Sequence, residues 1–335
     1  MYIFGMESSC DETSAAIIHA DEAGNLTIKA NIVASQVDVH RLYGGVVPEI
    51  ASRAHVEAVS RITKEALDTA GITLKDLDCV AVTANPGLIG ALLVGVNFAK
   101  SLAFANNIPL VAVNHIHAHV GAAYLAHQGL KAPFIALVVS GGHTQFYRVD
   151  TDTQYTEIGG TRDDAAGESF DKVGRVIGMP YPGGAALDKL AYEGNPKAYV
   201  LPSPALAGDS PDFSFSGIKT AALNLINGAK QRGEEIDAAD MAASYTATIV
   251  KAIVKQTDKM LTQTGTPVLV LAGGVAANSH LRKALQELCA ARGVTFIVPP
   301  LSLCGDNGAM VAAAGYFEFI SGARASTDLN ASAYD

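Results

Sequence analysis

Residues 114–119 read Asn-His-Ile-His-Ala-His, so three of the chain's nine histidines fall within five positions. On a helix, His115 and His119 stand one turn apart and project from one face, where they can share a metal ion. Neutral imidazole suits borderline transition metals. His117 points elsewhere. A histidine-rich helix start with ordinary hydrogen-bonded side chains fits the same residues. A metalloprotease would want His-Glu-x-x-His, and no carboxylate lies between His115 and His119, which counts against proteolysis. A third ligand must come from elsewhere. Asp306 is suited to it, in Leu303-Cys304-Gly305-Asp306-Asn307-Gly308. An aspartate there is also a good helix start, and one aspartate can cap and ligate.

Two glycine-containing turns offer a second kind of chemistry. Ser140-Gly141-Gly142-His143-Thr144 brings close backbone approach, amide donors and hydroxyls to an anionic group. Gly273-Gly274-Val275-Ala276-Ala277-Asn278 joins a strand to a helix, where backbone can approach a flat or anionic ligand. Either alone reads equally as a tight turn; together they point to a nucleotide-like ligand. Glu7, Asp11 and Glu12 form a carboxylate cluster among Ser8, Ser9 and Thr13. Such a cluster is costly unless solvated or paired with a metal or a basic group. Asp171 and Asp188 could bind ligand hydroxyls or an amine, or be surface carboxylates of helices.

These residues need elements to hold them. Tyr2–Met6, Ala15–His19 and Leu26–Val33 read as strands, the first two separated by the polar turn. Pro48–Ala70 has helical spacing closed by Gly71. A strand at Val80–Thr83, a helix at Leu88–Ala105 and a strand at Pro109–Val113 follow. The pattern then partly repeats: strands at Phe134–Val139 and Gln145–Val149, a helix-rich stretch over 167–265, a strand at Pro267–Ala272, a helix at Ser279–Ala291, a strand at Val294–Val298 and a helix at Asn307–Ile320. Two strand–polar turn–strand units imply duplicated α/β lobes with a ligand cleft between them. The expected boundaries are residues 1–114 plus 307–335 for the N-terminal lobe and 115–306 for the C-terminal lobe, which carries a helical insertion.

Composition bounds the answer. The 335 residues carry 24 Lys+Arg against 33 Asp+Glu, a net charge of −9, with 49% hydrophobic residues. A sizeable core is expected, and nucleic acid is not gripped by bulk charge. A local patch of Arg162, Lys172, Arg175 and Lys219 is the expected exception. Four cysteines without a CxxC pair, an N-terminus unlike a signal peptide and an interrupted apolar stretch at Cys79–Ala99 give the expectation of a soluble cytoplasmic protein without a membrane span.

Taken together, these segments resemble the TsaD family, the universal tRNA threonylcarbamoyladenosine synthases formerly labelled O-sialoglycoprotein endopeptidases. The matching runs are Gly5–Thr13, the His115/His119 pair, Val139–Thr144, Asp164–Lys172, Tyr181–Gly184, Phe213–Thr220, Gly273–Asn278 and Asp306–Met310, in the family's order. The resemblance implies an actin/hexokinase/Hsp70-like (ASKHA) α/β fold, duplicated and two-lobed with a central cleft. It implies transfer of threonylcarbamoyl from threonylcarbamoyl-AMP to the exocyclic amine of adenosine 37 in tRNAs reading ANN codons, releasing AMP. It implies one divalent metal on His115, His119 and Asp306, with Fe(2+) taken ahead of Zn(2+). Val138, Val139, Ser140, Gly141, Gly142, Asp171, Gly184, Asp188 and Asn278 would bind the nucleotide-linked substrate. Asp11 and Glu12 are candidate bases by position. Implied partners are tRNA, an inactive paralogue (TsaB-type) and a small ATPase (TsaE-type). The alternative is an ASKHA-type nucleotide-binding kinase or ATPase; its relatives usually carry an Asp-x-Gly-Thr-type first turn, which this chain lacks.

Overall fold

The apolar runs at the N-terminus form β1 (Tyr2–Glu7), β2 (Glu12–Ala20) and β3 (Leu26–Ser35), followed by a short helix α1 (Val37–Arg41). Helix α2 (Pro48–Ala70) starts at its proline and stops at Gly71, as its sequence predicts. Strand β4 (Cys79–Asn85), helix α3 (Ile89–Asn106), strand β5 (Leu110–Asn114) and helix α4 (His115–Ala126) follow. The sheet order is β3-β2-β1-β4-β5, antiparallel across β1–β2–β3 and parallel across β1–β4–β5. Its parallel strands read as unbroken apolar runs because both faces are covered.

The second sheet is built from β6 (Phe134–Val139), β7 (Thr144–Thr151), β8 (Gln154–Gly160), β9 (Val268–Ala272) and β10 (Thr295–Ile297). Its order is β10-β9-β6-β7-β8. Matching β6 to β1, β7 to β2, β8 to β3, β9 to β4 and β10 to β5 reproduces the first sheet's order. β6 is antiparallel to β7 and parallel to β9, as β1 is to β2 and β4. The expected duplication is therefore present in strand order and direction. β8 has no counterpart in the sequence reading: it is a largely polar, half-exposed edge strand with little alternation to betray it. The helices of this half are α5 (Ala166–Val176), α6 (Gly183–Leu190), α7 (Ser216–Gln231), α8 (Ala238–Thr264) and α9 (Ser279–Arg292); α10 (Gly308–Ile320) ends the fold.

This computed structural model describes residues 1–203 and 210–334. Contacts divide the chain into two units, one of Met1–Ala132, Asp150–Tyr155 and Pro299–Asp335, the other of Pro133–Val149 and Thr156–Val298. This differs from the expected boundary before His115. Helix α4 belongs with the first unit because it packs on α10, and α10 lies against β1, β2, β4 and β5. His115, His119 and Asp306 consequently share one unit. Both α4 and α10 are apolar nearly all round, as buried helices are.

Helix α3 is long and apolar enough, by length and composition, to cross a membrane. Its Val96, Ala99 and Ala103 instead join the first unit's core, where it packs on α2 and β4.

The seat of α10 depends on missing side chains. A Cβ at Gly5 would collide with the Gly308 carbonyl oxygen, the Ala312 amide and the Ala312 side chain. A Cβ at Gly308 would come within 2.7 Å of the Ala16 amide nitrogen and 2.8 Å of the Gly5 oxygen. Backbone thus lies on backbone, with no flexible side chain to yield. Gly5→Ala is expected to lower unfolding free energy by about 1–3 kcal/mol, the usual effect of overpacking. Gly45→Ala, at a position with open space around it, serves as the control. Urea denaturation of the two variants checks this.

Candidate metal centre

Strand β5 delivers Asn114 to the start of α4, where its side chain accepts from the amides of Ile116 and His117. That cap fixes the first turn and puts His115 and His119 on one face. Their ring centroids are 4.7 Å apart. His115 Nε2 is 3.7 Å and His119 Nε2 3.3 Å from Asp306 Oδ1. The ligand atoms of the three residues all lie within 4.8 Å of one another. Neighbouring ligands about 2.0–2.2 Å from one ion stand at comparable separations.

The chemistry of the nitrogens fits a cation. Among the described residues, neither ring nitrogen of His119 has a hydrogen-bond partner, although both are buried. Burying unpartnered imidazole nitrogens is unfavourable unless something else coordinates one of them. His115 is oriented by a different device. Its Nδ1 lies 3.1 Å from Glu7 Oε2, and the same oxygen accepts from Thr83 Oγ1 at 2.7 Å. The other Glu7 oxygen accepts from the Ser9 amide at 2.6 Å. Burial pushes the Glu7 carboxyl up, but the charge of His115 and hydrogen bonds from His115 and Thr83 outweigh it and hold the carboxyl below its ordinary value. With the Ser9 amide and Thr83 Oγ1 donating to it, Glu7 acts as acceptor, so in the neutral ring His115 Nδ1 carries the hydrogen and Nε2 is left to face Asp306.

Glu7 is the functional residue the sequence reading understates. The sequence suggests one turn shared with Asp11 and Glu12, yet Glu7 is the last residue of β1 and fully buried. The available signal was alternation: Glu7 shares a strand face with Gly5, the face that meets α10.

Asp306 does not cap α10. Asn307 does, its side chain accepting from the Met310 amide at 3.0 Å. The capping alternative for Asp306 is thereby removed, because Asn307 immediately follows it and completes the cap. His117 is turned to another partner and stacks on Tyr155 with ring centroids 4.0 Å apart.

The candidate bases separate. Burial, followed by the charges of Asp306 and Asp11, pushes Glu12 up to about 9. That direction disfavours Glu12 as a base at neutral pH. Asp11, which shares a hydrogen bond with Glu12, remains.

The second unit gathers the other candidates. The Ser140 carbonyl accepts from the Gly167 amide and that of Gly141 from the Glu168 amide, so the turn sits on the start of α5. A Cβ at Gly141 or Gly142 would meet nothing within 4 Å. Val138 and Val139 are fully buried in β6, which pairs with β7 and β9. Gly273, at φ +94°, lies so close to the Val139 carbonyl that a Cβ would collide with it. Asp171 Oδ1 accepts from the Gly184 amide at 3.0 Å. One turn along α6, Asp188 holds the Ser279 amide and hydroxyl, while Asn278 caps α9 through the Leu281 amide. Asp171, Gly184 and Asp188 are thus linked through α6, and Asn278 adjoins the Ser279 that Asp188 holds.

The expected cationic patch is largely neutralised. Arg162 pairs with Asp212, Lys172 with Asp164 and Glu168, and Lys219 with Asp164. Asp163 is likewise structural: burial raises its carboxyl, but hydrogen bonds from Ser214, Ser216 and the Phe215 amide hold it below its usual value and fasten the Phe213–Thr220 segment.

Comparison with known proteins agrees with this layout. The family model described as TsaD: tRNA N6-adenosine threonylcarbamoyltransferase matches residues 27–313. A tRNA N6-adenosine threonylcarbamoyltransferase of Geobacillus thermodenitrificans is 52% identical over 332 residues, covering 99% of this chain and 95% of the relative. One from Clostridium botulinum is 49% identical over 329 residues, covering 98% and 96%. A solved structure of full-length HypF, in a phosphate- and nucleotide-bound form, superimposes with a TM-score of 0.62 at 15% identity, covering all of this chain and 47% of HypF. That likeness shows the fold, which is of the actin/hexokinase/Hsp70-like class.

Two outcomes follow from the geometry. Asn307→Ala should lower stability by about 0.5–2 kcal/mol and keep its metal. Asp306→Ala should lose metal, and in metal-free samples its melting temperature should stay close to that of the unmutated chain, as elemental analysis and thermal melts can report. For Glu12, the folded-state value lies above the unfolded one. Its contribution to stability is complete below about 4.5 and is lost as pH rises through about 9. The melting temperature of Glu12→Gln minus that of the unmutated chain should therefore grow from pH 5 to pH 9. A flat difference would sink the assignment.

Proposed function

Because the chain belongs to the TsaD family of tRNA N6-adenosine threonylcarbamoyltransferases, we propose that it transfers the threonylcarbamoyl group of threonylcarbamoyl-AMP to the exocyclic amine of adenosine 37 in tRNAs reading ANN codons. It is a transferase with tRNA as acceptor. The observation that carries this reading is identity of about half over nearly the whole of both chains.

The donor is a mixed carboxylic–phosphoric anhydride, so AMP leaves readily. The amine nitrogen forms a bond to the carbamoyl carbon, the bond from that carbon to the phosphate oxygen breaks, and AMP departs with the electron pair. The amine must also lose a proton. We assign that proton to Asp11, with protonated Glu12 as its hydrogen-bonding neighbour.

His115 Nε2, His119 and Asp306 would hold one divalent metal. Two imidazoles and one carboxylate leave positions open, a donor set that takes iron(II) or zinc(II); iron(II) is put ahead on the family resemblance. When bound, the ion supplies Lewis acidity toward a carbonyl oxygen. Glu7 keeps the His115 ring and its proton in place, so that the nitrogen facing Asp306 stays available.

The second unit takes the nucleotide part. Amides of the Ser140–Gly142 turn suit the phosphate and developing negative charge. Val138 and Val139 contribute backbone to the same turn. Asp171, Gly184, Asp188 and Asn278 surround the nucleoside, with the carboxylates suited to ribose hydroxyls. Since the neighbouring cations are paired, tRNA is held with help from partners: an inactive paralogue of TsaB type and a small ATPase of TsaE type. The working compartment is the cytoplasm.

In cells depleted of the protein, nucleoside mass spectrometry should show tRNA stripped of its threonylcarbamoyl modification. Normal levels would contradict the reading. In the purified system, His119→Ala should lose both metal and transfer. Asp11→Asn should keep the metal and slow transfer about 100-fold or more, the usual contribution of a general base.

A further inference from the structure

Tyr192 follows α6 and is 64% exposed, yet its hydroxyl and one face of its ring are held. Its hydroxyl lies 2.8 Å from Ser279 Oγ. Ser279 Oγ in turn donates to Asp188 Oδ2 at 2.8 Å. The serine hydrogen is committed to a carboxylate, so the tyrosine hydroxyl is the donor to the serine.

One face of the Tyr192 ring is covered by His280, with centroids 4.1 Å apart and planes inclined by 27°. His280 Nε2 lies 3.2 Å from the Asp188 carbonyl oxygen. A carbonyl only accepts, so Nε2 carries the hydrogen and that ring is fixed too. Asp188 therefore anchors the pair twice, through its carboxylate and through its main chain.

An aromatic ring left this exposed adds little to the core. Held flat on a second ring, it presents a rigid surface on which a stack already begun can continue. Flat π-systems stack on such rings without needing a particular hydrogen-bond pattern, and a rigid ring loses little freedom when they do. Its surroundings are polar, with Ser279 and Asp188 to one side and the exposed Lys189 nearby in sequence, which suits a flat ligand carrying hydroxyls better than a purely apolar one.

We propose that Tyr192, backed by His280, is the stacking platform for a nucleobase in the transfer reaction. This rests on the threonylcarbamoyltransferase reading, in which donor and acceptor both present an adenine. The shared chemistry is a purine attached to a ribose.

The test uses the full chain and three probes: AMP, ribose 5-phosphate and an anticodon stem-loop RNA. Because the chain contains no tryptophan, Tyr192→Trp installs a single indole whose fluorescence a stacked base should quench. Tyr192→Ala should weaken AMP about tenfold and leave ribose 5-phosphate unchanged if the base is the donor's. It should instead weaken the stem-loop about tenfold, with AMP unchanged, if the base is the acceptor's. In either case Tyr192→Phe, which keeps the ring, should bind within about twofold of the unmutated chain. Unchanged binding of both AMP and stem-loop in a folded Tyr192→Ala would overturn the proposal. The transferase reading is tested separately, by nucleoside mass spectrometry of tRNA from depleted cells, so the two can fail independently.

Discussion

Backbone rests on backbone where α10 crosses β1, with Gly5 beneath and Gly308 above. Almost everything at the candidate metal centre depends on that approach. It brings the first residues of α10 down onto the sheet, and Asp306, just before the helix, arrives beside α4. It leaves the face of β1 bare at Gly5, so that Glu7, two residues on, can reach His115. A larger residue at either glycine would lift the helix and separate Asp306 from His115 and His119, which lie far from it in sequence.

The two sheets repeat one topology and have diverged at one turn. Between β1 and β2 the first unit carries Ser8, Ser9, Cys10 and Asp11, next to the buried Glu7. At the equivalent place between β6 and β7 the second carries Ser140, Gly141, Gly142 and His143. The first turn gathers carboxylates, and burial followed by the negative charges of Asp306 and Asp11 raises the Glu12 carboxyl. Charge of that sign calls for a cation. The second turn is nearly free of side chains at its glycines and offers amides, which call for an anion. The same scaffold thus supports opposite electrostatic tasks through a few loop residues.

Net charge has a similarly local meaning. The −9 balance argued against gripping nucleic acid by bulk charge. Three of the four cations expected to make a local exception are tied to carboxylates of their own unit. Lys172 and Lys219 converge on Asp164 and hold the α5 and α7 segments, a structural task that competes with binding phosphate.

Alternation and helical spacing, with glycine and proline stops, were enough to mark most strands and helices, because those patterns follow from which faces are buried. They also marked the duplication, the paired histidines and the two glycine turns. β8 escaped because an exposed edge strand carries no such pattern. Which aspartate or asparagine caps α10 was equally invisible: Asp306 and Asn307 are adjacent and chemically similar, and only the direction of each side chain separates ligand from cap. The protonation of Glu12 and the orienting role of Glu7 depend on charges brought near by strands and helices distant in sequence. The sequence by itself determined the kinds of groups available and the elements that carry them. The tertiary structure alone decided which groups meet, because burial and Coulomb interactions depend on separations in space that chain position does not encode.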